Sequence, residues 1–140
     1  MKDIINLLIE KNECLEKFFT INSEQLDFIV KGNYDGLDSF YKAREGLLEI
    51  IERVDELVEK EASEVVPGST TVEDRMKMEE VLNIKNDWVT KILDQDLAIL
   101  TAIDQAKSNV IKELTQVKSA RKAVGAYKSG AKDSIFDEEA

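Results

Sequence analysis

Apolar residues recur at steps of three, four and seven along one stretch of the chain: Ile92, Ile99, Ile103, Ala106, Val110, Val117, Ala120, Val124 and Tyr127. That is the spacing of one face of an α-helix. Leu93, Leu97, Leu100 and Leu114 widen the stripe, and neither Pro nor Gly interrupts it before Gly125. A helical stripe of this width needs a cover, and it sits at the back of a long periodic segment that opens near residue 71. This third helix is expected to run from about 71 to 127, through Met78, Leu82, Trp88 and Val89. Thr70 with Glu73 has the form of a capping box at its start. Asn83 or the triplet Asp94-Gln95-Asp96 is where a bend is expected, if there is one.

Two earlier helices are legible in the same way. The first is expected over about 3–30, with Asp3 as N-cap and a seam of Ile5, Leu8, Asn12, Leu15, Phe19, Asn22, Leu26 and Ile29. Ile4, Leu7 and Phe18 broaden its apolar face, which predicts contact with two neighbours. Gly32 suits the left-handed position after a helix end, and Asn33 or Asp35 can cap the second helix. So short a connection makes that helix, about 34–61, an antiparallel partner of the first. Its seam is Leu37, Phe40, Leu47, Ile51, Val54 and Val58, with Arg44 on the same line. Arg44 falls level with Asn22 if the turn is centred near Asn33. Either the two form one polar layer, or Arg44 lies at the margin and extends to solvent. Val66-Pro67-Gly68 marks the longer loop before the third helix.

These elements define an all-α fold: an antiparallel helical hairpin joined by a third long helix as a three-helix bundle or coiled coil, in one domain over 1–128. At 1.5 Å per residue the hairpin is roughly 40 Å long, so the third helix draws level with the Gly32 turn at about residue 100 to 103. About 25 further residues are expected to protrude as an amphipathic segment. Such a segment must fold back, dimerise or meet a partner. The end of the chain, 129–140, reads as a flexible acidic tail.

Composition narrows the function classes. The chain has 140 residues, 43% hydrophobic and only 6% aromatic, with one Pro, as in helical bundles. Its net charge of -10 argues against broad binding to nucleic acid or to an anionic membrane surface. One Cys points to a reducing compartment, and no window is a signal peptide or membrane span. A cytoplasmic protein is expected. Charge is nonetheless uneven: Lys107, Lys112, Lys118, Arg121, Lys122, Lys128 and Lys132 face the lone acid Glu113 between residues 107 and 132. That segment fits a solvated face, a docking surface for a partner helix, or, more weakly, nucleic acid or a membrane surface.

Candidate chemistry is sparse. The chain has no His, so the common general base and the catalytic triads are absent. No phosphate-binding Gly loop and no Cys pair for zinc occurs. Cys14 reads as a packing residue and Trp88 as core or seam. No catalytic residue, cofactor or metal site is expected, and the protein is expected not to be an enzyme.

Several of these positions together resemble a known family. The Leu- and Glu-rich first helix, the turn Val30-Lys31-Gly32-Asn33-Tyr34-Asp35-Gly36-Leu37, and Tyr41-x-x-Arg44-Glu45-x-Leu47-Leu48 resemble flagellar type III export chaperones of the FlgN/FliT type. The long last helix, ending in Arg121-Lys122-Ala123-Val124-Gly125-Ala126-Tyr127, is similar too. The resemblance implies a cytosolic chaperone whose C-terminal helix binds hook-associated or filament-cap subunits and delivers them to the export gate. It makes Tyr127 the candidate for export-gate docking. The cargo surface would be Leu100, Ile103, Ala106, Val110, Leu114, Val117 and Val124, on a monomer or weak homodimer. The alternative is a structural or signalling coiled coil that uses the same helix for self-association; a nucleic-acid-associated accessory protein is a third.

Overall fold

The computed structural model describes residues 1–129, with side chains through Ala126, so the tail expected over 129–140 lies outside it apart from the backbone of Ser129. Three α-helices follow one another: α1 (Lys2–Val30), α2 (Leu37–Ser63) and α3 (Val72–Ser129). No strand occurs among the described residues, and the three helices pack together as the periodicity predicts. The chain divides into two compact units, Met1–Ala102 and Ile103–Ala140. The boundary falls where helix-length counting put the end of the hairpin.

The connections show why each helix stops. At the end of α1 the Gly32 amide donates to the Ile29 carbonyl at 3.0 Å and the Asn33 amide to the Phe28 carbonyl at 2.8 Å, with Gly32 at φ 82°. This is a Schellman closure, and the positive φ at Gly32 is the conformation for which a Cβ is costly. In the second loop the Ser69 amide donates to the Val66 carbonyl at 3.1 Å across Pro67 and Gly68, with Gly68 at φ 83°. Pro fixes the first corner of this type II turn and Gly supplies the left-handed second one.

Three helix-start expectations need correction. The N-cap of α1 is Met1 and not Asp3, which instead lies in the first turn, where its charge still favours the helix N-terminus. Helix α2 begins at Leu37, because Tyr34, Asp35 and Gly36 are consumed by the turn. The Asn33 side chain accepts the Asp35 amide at 3.1 Å, so it stabilises that turn, and Gly36 caps α2 without a side-chain bond. At α3 the cap is one residue later than expected: Thr71 Oγ1 accepts the Asp74 amide at 3.1 Å, in place of a Thr70 and Glu73 box. Helix α3 is continuous through Asn83 and Asp94-Gln95-Asp96. The reason lies in packing: Gln95 and Asp96 find partners on neighbouring helices and do not compete with their own backbone.

Within the first unit the register follows from paired residues. Asn12 reaches the Val81 carbonyl at 3.1 Å and Gln95 reaches the Phe19 carbonyl at 2.9 Å, so α1 and α3 run parallel. Lys11 pairs with Asp55 at 2.6 Å while Arg44 stacks on Phe18, so α1 and α2 run antiparallel. Ile4, Ile5, Leu8 and Val81 form one buried cluster, with Met1, Val58, Val65, Met78 and Leu82 around it. Leu15, Phe18 and Ile92 form another, walled by Phe19, Leu47, Ile51 and Trp88. Phe19 and Trp88 meet tilted at 57° with ring centroids 5.4 Å apart, which places Trp88 in the seam.

A polar layer interrupts this apolar interior. Asn22 is fully buried, and its amide nitrogen lies 3.3 Å from both Gln95 Oε1 and Asp96 Oδ1. Arg44 closes the layer from α2, at 3.1 Å from Asp96 Oδ1, with its second nitrogen 3.4 Å from Oδ2. Its guanidinium stands 4.7 Å from the centre of the Phe18 ring. Of the two readings of Arg44, the shared layer with Asn22 is the one observed, and Asp96 is the link that the heptad spacing did not reveal. Asn22 Oδ1 has no hydrogen-bond partner among the described residues. A buried amide oxygen without a partner is a cost that offsets part of what the layer's bonds contribute.

Cys14 is buried on α1. Burial pushes its thiol above the ordinary value of 9.0, and Glu10 and Glu13 act in the same direction against Lys17. With the folded pKa raised, any stability linked to this thiol is fully present below the unfolded value and is lost as pH rises through the folded one. Labelling by a disulfide reagent at pH 8 is expected to be about tenfold or more slower in the native protein than in denaturant. Equal rates would place the thiol at the surface.

Candidate partner-binding surface

In the first unit the helix face of α3 that bears Val81, Ile92 and Ile99 is buried, and these residues are spaced eleven and seven apart. Eleven residues make about three helical turns and seven about two, so such a line stays nearly straight along the helix. The spacing continues in the second unit as Val110, Val117 and Val124, at steps of eleven, seven and seven. There the outcome is opposite. Val110, Val117 and Val124 are 48%, 49% and 54% exposed. Every residue from Lys107 to Val124 is exposed.

The expected surface residues divide accordingly. Ile103 and Ala106 are half-buried, while Val110, Leu114, Val117 and Val124 are exposed on the second unit. Leu100 belongs to the first unit and is exposed beside Leu93 and Leu97, so the residues that widened the stripe are not core. Ile111, 62% exposed, was absent from the expected set. Its spacing of three to Leu114 was the available signal, obscured because it falls off the line through Val110 and Val117. Tyr127 lies on α3, which continues through Gly125 to Ser129, and its side chain is outside the described residues.

The electrostatics of this segment are those of an exposed cationic helix. Lys107, Lys112, Lys118, Arg121 and Lys122 are all exposed and flank the apolar line. Local bonds hold the helix surface: Gln105 donates to Asn109 at 3.1 Å, and the Thr115 hydroxyl to the Ile111 carbonyl at 2.9 Å. An amphipathic helix with apolar residues at this spacing and cations on its margins can bury its stripe against another helix, with charge selecting acidic partners.

Elsewhere the described surface offers little chemistry. A shallow groove between α1 and α2 is lined by Asp3, Asn6, Leu7, Glu10, Leu57 and Glu61, and another patch on α3 by Glu73, Met76, Lys77, Glu79, Glu80 and Asn83. Neither places a nucleophile beside a base. Among the described residues no three of Cys, Asp and Glu come together as a metal site. No helix among them is long and apolar enough to cross a membrane. Comparison with protein-family models, with characterised proteins and with solved structures finds no match to this chain.

Proposed function

We propose that the protein is a cytoplasmic secretion chaperone of the flagellar type III export kind, which works by binding and not by catalysis. Its cargo is an amphipathic segment of a hook-associated or filament-cap subunit. The observation that carries this reading is the exposure of every residue from Lys107 to Val124 on a helix whose apolar spacing is that of a buried seam. Ile103, Ala106, Val110, Leu114, Val117 and Val124 form the cargo surface, with Leu100 at its near end. Each Val or Leu fully covered by cargo contributes about 1.5 to 3 kcal/mol before ordering costs. The cargo is held by helix-on-helix burial, and the complex is then passed to the export gate through Tyr127.

Capture of partners from the native cell with the full chain, followed by Tyr127→Ala, tests both steps. A captured export subunit whose affinity changes less than about twofold on Tyr127→Ala, while export is lost, is the expected result. Parallel loss of affinity and export makes Tyr127 part of the cargo surface. Capture of nucleic acid with a steep salt dependence overturns the chaperone reading.

A further inference from the structure

The Arg44–Asp96 ion pair marks where α2 meets α3, and exposed apolar residues flank it symmetrically. Tyr41 and Leu48 stand three before and four after Arg44, and Leu93 and Leu100 stand three before and four after Asp96. Positions so spaced are neighbours on a helix surface. All four side chains are more than half exposed, so the first unit presents an apolar strip around its polar layer. On α2 that strip is interleaved with carboxylates: Asp38, Tyr41, Glu45, Leu48 and Glu52 follow at steps of three and four, forming one exposed ridge of alternating acid and apolar groups. Residues 1–102 carry 23 acidic against 12 basic residues, so the surroundings reinforce the sign.

The chain itself contains the complement. Lys107, Ile111, Leu114, Lys118 and Arg121 follow at steps of four and three on the second unit, and all are exposed. This ridge carries two apolar groups between basic ones. It lies beside the line of Val110, Val117 and Val124, and shares with the proposed cargo surface only Leu114.

From this match we infer that a second copy of the chain is the occupant: the Lys107–Arg121 ridge of one molecule docks along the Asp38–Glu52 ridge of another. Ile111 and Leu114 are covered by Tyr41, Leu48, Leu93 and Leu100, while Lys118 and Arg121 meet Glu45 and Glu52. Each molecule carries both ridges, so two copies offer the same contact twice. The contact is charge-matched at its rim and small in its apolar centre, which makes the dimer weak and salt-sensitive.

Analytical ultracentrifugation of the full chain tests this without any cargo. The expected result is a concentration-dependent dimer of the 15.8 kDa chain that weakens as salt is raised. Lys118→Glu with Arg121→Glu, and separately Glu45→Lys with Glu52→Lys, are each expected to weaken self-association about tenfold or more, because each places like charges opposite one another. Far-UV spectra confirm that both variants keep their helices. Mixing the two variants must then restore a dimer, since each supplies the ridge that the other now needs. Rescue on mixing is possible only between molecules. A chain that is monomeric at every concentration, or variants that fail to rescue each other, overturns the proposal. A salt-resistant dimer lost on Val117→Asp but indifferent to the charge reversals would assign self-association to the valine line instead. Cargo capture is scored separately, so failure here leaves the chaperone reading to its own test.

Discussion

Arg44→Asp is expected to lower stability by about 3 kcal/mol, read as a fall in the urea midpoint with an unchanged slope. The substitution sets a second carboxylate against Asp96, whose Oδ1 already lies 3.3 Å from the buried Asn22 amide nitrogen, and removes the cation that stacks on Phe18. Arg44→Leu is milder, at about 1 to 2 kcal/mol, because Asp96 keeps Asn22 and some access to water. Pairing Arg44→Leu with Asp96→Leu is expected to come close to neutral, since both charges leave together and apolar area replaces them. The non-additivity of that cycle is the informative quantity. If Arg44→Asp and Arg44→Leu are equally harmless, water screens the pair and the layer has no energetic weight.

That layer also shows where pattern reading succeeds and where it stops. Heptad spacing located Asn12 and Asn22 inside the α1 seam and Arg44 on the α2 seam, because a polar residue at an apolar register is conspicuous. Asp96 was not legible. It sits in a run of three polar residues whose local signal is a helix bend, and its inward position follows only from the register between α1 and α3, a long-range property. The caps failed for a local reason: Thr70 and Thr71 are chemically equivalent candidates, and one residue of loop length decides between them. The apolar line of Val110, Val117 and Val124 was legible because burial and exposure share one periodicity. Spacing identifies an apolar face but does not say what covers it, which is why Val81 and Val117 look alike in the sequence. Ile111 lies on the flank of the stripe, three residues before Leu114, where apolar spacing alone does not separate the edge of a face from its centre.

Removing everything after Thr101 is expected to leave a folded three-helix core and to abolish partner binding. The described interhelical bonds, from Asn12–Val81 through Arg44–Asp96, all lie in residues retained by the truncation, as do the two buried clusters and Ile99. What leaves is Ala102 and the second unit, in which Ile103 and Ala106 alone among the proposed cargo-surface residues are half-buried. The cost to stability should stay within about 1 to 2 kcal/mol, the scale of one partly covered Ile plus fraying of a shortened helix end. Val110→Asp with Val117→Asp in the full chain separates loss of surface from loss of length. Both residues are exposed, so the melting temperature should barely move, whereas two valines withdrawn from a cargo interface should weaken affinity about a hundredfold or more, measured by titration calorimetry against the captured subunit. Cooperative unfolding of the truncated chain would show instead that the segment from Ile103 onward is core, covered in solution by the rest of the chain. Retained cargo affinity in the double Asp variant would move the binding surface off this line and onto the acidic first unit.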